Sequence, residues 1–89
     1  MNANTNIDNA IKNFGKNLEI IIANNFDSKS DFCLKIGQYS NQFLDNKALN
    51  KILKGASNVR YDTLNHIILA LRYQNINVSL ENMLFDDIK

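Results

Sequence analysis

Eighty-nine residues suffice for one small domain with a single core. A hydrophobic share of 45% excludes wholesale disorder, and uninterrupted apolar runs such as residues 20–23 and 67–71 are too short to cross a membrane. The net charge of +1 hides an uneven spread: residues 1–60 hold eight Lys/Arg against five Asp/Glu, and residues 61–89 hold two against four. A basic first part and an acidic tail suit a protein that presents one face to phosphate and another elsewhere. One cysteine makes no internal disulfide and one histidine no metal cluster, so no metal, no cofactor and no enzymatic site are expected. The start lacks the basic-then-apolar layout of a signal peptide, which makes the cytoplasm the expected compartment.

Residues 1–6 are polar and read as frayed, leaving a core of about residues 7–85. Ile7, Ala10, Ile11, Phe14, Leu18, Ile21 and Ile22 recur at helical spacing and predict a first helix ending near Asn24 and Asn25. Gly15 lies inside it and costs about 1 kcal/mol relative to Ala, so a break or bend is expected there. Ser28 is suited to cap a second helix over residues 29–36, with Asp31 in its first turn and Phe32, Cys33 and Ile36 buried. Gly37 is its expected left-handed C-terminal residue.

A third helix spans residues 45–54, with Ala48, Leu49, Ile52 and Leu53 inward and Gly55 as its stop. Phe43 and Leu44 also fit the buried stripe and leave open a start as early as Ser40. Asp62 is expected to cap a fourth helix with the core face Leu64, Ile67, Ile68 and Leu71. Residues 74–78 connect it to a short fifth helix, capped by Ser79 and holding Leu80, Met83 and Leu84. Cys33 reads as a small buried hydrophobe and His66 as a structural or solvated side chain. No segment alternates as a half-buried strand does, so the class is all-α: five helices in one domain, residues 1–89.

The sequence contains no proline and sixteen asparagines, and Asn, Ile and Lys together supply 35 residues. Their AT-rich codons suggest a low-GC bacterial or phage genome. The asparagines are scattered among core residues, unlike a low-complexity tract. Between residues 47 and 60 stand four basic side chains and no acidic one. Two short helices joined by a tight connection, the second exposing Asn and Lys, have the form that enters a DNA groove.

The order of these motifs resembles the lambda-repressor-like helix-turn-helix family, which includes phage repressors, Cro-type regulators and bacterial antitoxins. Ser28, Lys29, Phe32, Cys33, Ile36 and Gly37 occupy the family's cap, polar, apolar, small, apolar and Gly positions. Leu49, Ile52 and Gly55 match the end of its recognition helix. Asp62, Thr63 and Leu64 match the start of its fourth helix, and Val78, Ser79, Leu80, Glu81, Met83 and Leu84 its closing one. The likeness covers roughly residues 15–85. Two features depart from it. Gly37 and Gly55 are eighteen positions apart, about six more than usual for such a unit, which marks the stretch from Gln38 through Leu44 as an insertion or a longer third helix. The loop proline before the fourth helix is absent, with Val59 near its place.

The resemblance implies a compact five-helix domain acting as a sequence-specific DNA-binding transcriptional regulator, a repressor occupying a palindromic operator as a homodimer. On the third helix Asn46, Lys47, Asn50 and Lys51 are the expected base readers, Asn pairing with adenine and Lys with guanine acceptors. Ser28, Lys29, Lys54, Asn58 and Arg60 are placed for phosphate oxygens, the first two at a helix N-terminus. The inserted Gln38, Tyr39, Ser40, Asn41 and Gln42 are polar enough to touch DNA or to face away from it. Leu80, Leu84, Phe85 and Ile88 offer the expected dimer surface. The partner is thus double-stranded DNA, placing the protein at the nucleoid when bound, with no membrane role. The same scaffold also serves protein interaction, as an antitoxin or a phage inhibitor of a host protein.

Overall fold

The longest element, α1, runs unbroken from Ala3 to Asn25. It places Ile11, Phe14, Leu18, Ile21 and Ile22 on one buried stripe, as the spacing predicts. The computed structural model describes residues 3–39, 44–55 and 59–88, with side chains from residue 9 onward. The described residues form four further helices and no strand: α2 (Lys29–Tyr39), α3 (Asn46–Leu53), α4 (Tyr61–Tyr73) and α5 (Leu80–Phe85). The class is all-α with five helices. α1 packs against α3 and α5, while α2 packs against α3 and α4. The shared core joins Phe14, Leu18, Phe32, Ile36, Leu49, Ile52, Leu64, Ile67, Leu71 and Met83, each at most 2% exposed. Its radius of gyration, 12.4 Å, is close to the ~12 Å expected of a folded chain of this length.

Four boundaries differ from the sequence expectation, each for a local reason. Residues 3–6 belong to α1 rather than to a frayed end, and α1 does not break at Gly15. α1 crosses α3 there so closely that a Cβ on Gly15 would overlap the Ile52 carbonyl oxygen and stand 2.9 Å from that of Leu53. Glycine serves a helix-to-helix contact, not a bend. α2 continues past Gly37 to Tyr39, and Gly37 has no left-handed backbone. The Tyr39 ring holds that extra turn, lying 5.7 Å from the His66 ring and 5.3 Å from that of Tyr73 on α4. α4 begins at Tyr61, two residues early; Arg60 stands at its N-cap without a side-chain cap bond, and Asp62 lies inside the first turn. A carboxylate there still favours the positive end of the helix dipole.

Other ends follow the expected chemistry. The Ser28 hydroxyl accepts from the Asp31 amide at 3.0 Å, and the Ser79 hydroxyl from the Asn82 amide at 3.0 Å. α3 starts at Asn46, capped by the Asp45 carboxylate, which accepts from the Ala48 amide at 2.7 Å. An earlier start is excluded because Leu44 and Asp45 are not helical. Gly55, at φ +75°, stops α3 in the left-handed conformation. α4 ends on Asn75, at φ 66°, while the Ile76 amide reaches back to the Leu71 carbonyl at 2.9 Å.

Candidate nucleic-acid interface

Six positions, 40–45, separate the end of α2 from the start of α3, and residues 40–43 among them lie outside the described residues. Phe32, Ile36, Leu49 and Ile52 anchor the pair in the core. At the open side of this joint the Asn46 amide donates to the Ser30 hydroxyl at 3.4 Å, and the Cys33 thiol donates to the Asn46 carbonyl oxygen at 3.6 Å. Asn46 therefore faces α2 and braces the two helices. It is exposed, but its polar atoms already have partners on α2.

Burying Leu49 and Ile52 leaves Lys47, Asn50, Lys51 and Lys54 on one exposed face, at spacings of three and four. Lys51 and Lys54 sit at the carboxyl end of the helix, where positive charge also complements the dipole. Among the described residues none of these lysines has an ion-pair partner. The face therefore offers three ammonium groups and an amide to an external acceptor.

The flanks are less uniform. Arg60 and Leu44, Ala48, Thr63 and His66 line a groove of about 440 Å³ between the start of α3 and α4, placing Arg60 beside α3 on the α4 side. Its guanidinium lies 3.5 Å from the Asp62 carboxylate, with both side chains more than 80% exposed. Such a pair is worth little in water and yields readily to phosphate. Lys29 is exposed at the start of α2, yet Asp27 and Asp31 stand beside it. The Asp31 carboxylate accepts from the Asp27 amide at 3.3 Å, and Ser28 is occupied as a cap. The N-terminus of α2 already carries its own anion, which weakens it as a phosphate clamp. Asn58 and residues 40–42 lie outside the described residues.

The expected dimer surface is largely used within the protomer. Leu84 is 8% exposed in the core, and Leu80 and Ile88 pack against it; Phe85 alone, 69% exposed, projects outward. Asn17, 1% exposed on α1, explains this arrangement. Its amide donates to the carbonyls of Met83 (2.9 Å) and Asp86 (2.7 Å), and its carbonyl oxygen accepts from the Ile88 amide (3.0 Å). Asn13, one turn earlier, donates to the Leu84 and Asp86 carbonyls at 3.1 and 2.9 Å. The two amides satisfy the carboxyl end of α5 and fold the tail onto α1. Neither was singled out by sequence reasoning, although residue 17 falls on the buried stripe between Phe14 and Ile21.

Cys33 is partly buried, and burial foremost, with the nearby Asp45 carboxylate second, pushes its thiol above the ordinary value. That suits a packing residue rather than a nucleophile. His66 is half-buried beside Tyr39. Among the described residues no three His, Cys, Asp or Glu side chains gather as a metal would require, and no helix is long and apolar enough to cross a membrane. Comparison of the chain with protein-family models, with curated proteins and with solved structures returns no match.

Proposed function

We propose that this protein is a sequence-specific DNA-binding regulator that docks α3 into the major groove. The observation that carries the reading is the outward face of α3: Lys47, Asn50, Lys51 and Lys54 are exposed together on a helix braced against α2. Asn50 offers the paired donor and acceptor that match adenine, and Lys47 and Lys51 donate to guanine acceptors or to phosphate. Lys54 and Arg60 lie at the end of α3 and start of α4 for backbone contacts, with Lys29 a lesser one. Asn46 holds the angle between α2 and α3 instead of reading a base.

In one protomer α2, α3 and the start of α4 offer fewer cations than the ~6–10 phosphate contacts of a salt-sensitive binder, so two copies on a twofold-symmetric site supply both readout and affinity. With Leu84 buried and Leu80 and Ile88 packed internally, Phe85 is the apolar side chain left for contact between copies. It lies beside an open depression lined by Asn9, Ala10 and Asn13. Repression would follow from occupying a promoter, in the cytoplasm and without a cofactor.

Selection of bound duplexes from a random pool at two salt concentrations tests this. A palindromic consensus whose affinity falls steeply with salt is expected. Absent or sequence-blind binding at moderate salt overturns the reading and leaves the protein-partner role, antitoxin or inhibitor, in its place.

A further inference from the structure

Two lysines outside α2–α3 stand on α1 near the end of α3. Lys12 lies one residue short of a full turn before Gly15, the point where α1 touches the last carbonyls of α3, and Lys16 follows that point directly. The stem of Lys12 covers the residue that ends α3: a Cβ on Gly55 would stand 2.9 Å from the Lys12 Cα and 2.5 Å from its Cγ. The left-handed turn at Gly55 thus brings the α1 backbone against the end of α3, immediately beyond Lys54. Both α1 lysines are exposed, and neither has an ion-pair partner among the described residues. Among the described residues Lys12 donates to none of the carbonyls at the end of α3.

We propose that Lys12, with Lys16 as a lesser contact one turn on, forms part of the nucleic-acid interface and binds backbone phosphate flanking the groove that α3 enters. The assignment rests on the DNA-binding reading of α3 and extends it to a helix outside the helix-turn-helix pair. A lysine reaching phosphate from α1 contributes charge but reads no base. Asp8 stands four residues before Lys12 and Glu19 three after Lys16 in the sequence. Exposed pairs at such spacings are weak and give way to a polyanion.

The test uses the duplex selected by the unmodified protein and compares it with Lys12→Gln, Lys12→Arg and Lys16→Gln. Each lost phosphate contact reduces affinity about fifteenfold near 50 mM salt and about fourfold near 200 mM, lowering the salt slope by about one. Lys12→Gln is expected to show that loss, with the selected consensus and melting temperature unchanged, and Lys12→Arg to retain binding. Lys16→Gln is expected to show a smaller loss. If Lys12→Gln binds with the parent's affinity and slope, the α1 contact is refuted while the α3 reading stands. A fall in melting temperature with Lys12→Gln, or an equal loss of binding with Lys12→Arg, assigns Lys12 to folding instead and also refutes it. If the unmodified protein binds no duplex, both assignments fall.

Discussion

Replacing Gly15 with alanine sets two physical effects of opposite sign against each other. Helix propensity alone favours alanine by about 1 kcal/mol in the interior of a helix such as α1. The packing opposes it, because the new methyl group would overlap the Ile52 carbonyl oxygen and stand 2.9 Å from that of Leu53. Both obstacles are backbone atoms and have no rotamer into which to retreat. α1 and α3 must separate by about an ångström, and overpacking of this kind costs about 1–3 kcal/mol, typically with loss at the surrounding contacts. Buried Phe14, Leu18, Leu49 and Ile52 lie at the joint that would open. With two backbone atoms in the way the packing cost lies in the upper part of that range, about 2–3 kcal/mol, so the net expectation is a destabilisation of about 1–2 kcal/mol, a fall in melting temperature of roughly 5–15 °C for a domain of this size. Thermal unfolding of Gly15→Ala followed by far-ultraviolet circular dichroism measures it. A variant as stable as the parent, or more stable, would refute the close α1–α3 crossing, and with it the placement of Lys12 against Gly55.

Asn17→Ala removes three hydrogen bonds to the end of α5 and the tail, leaving the part-buried Ile88 amide without its acceptor and the Met83 carbonyl with only a long 3.4 Å bond from Asn13. A loss of about 2–4 kcal/mol is expected in denaturant unfolding, with faster amide exchange at Ile88; unchanged exchange there would contradict the clamp. The raised thiol of Cys33 makes its protonated form the one favoured by folding. That contribution is complete below the thiol's unfolded value and is lost as pH rises through the folded one, so stability should decline and alkylation accelerate above about pH 9. Alkylation at neutral pH as fast as that of a free thiol peptide would count against the burial.

The helices were legible because their periodicity and their stops are local. Gly55 and Ser79 act through bonds to residues within four positions, and they lie where such chemistry predicts, while Asp45 caps the third helix rather than opening it. The misread ends depended on distant partners. α2 outlasts Gly37 because Tyr39 meets His66 and Tyr73, which lie more than twenty-five residues further along the chain. Gly15 looked like a defect because its value lies in α3. Asn13 and Asn17 were lost among sixteen asparagines, since composition does not separate a buried amide from a solvated one. The lysine face of α3 was readable from spacing, but the engagement of Asn46 by Ser30 and Cys33 required the angle between two helices. The backbone bonds that tie Leu84 and Ile88 to α1 likewise span some seventy residues and leave no local trace in the sequence.

The claim that α3 reads DNA is tested most directly by measuring affinities of Asn50→Ala and Lys54→Ala for the selected duplex and for its single-base variants. Asn50→Ala should abolish discrimination at one defined position, each mismatch there normally costing about 1–3 kcal/mol, while leaving the other positions intact. Lys54→Ala should weaken all duplexes alike and lower the salt slope by about one. Equal preference at every position in the parent and Asn50→Ala would contradict the account.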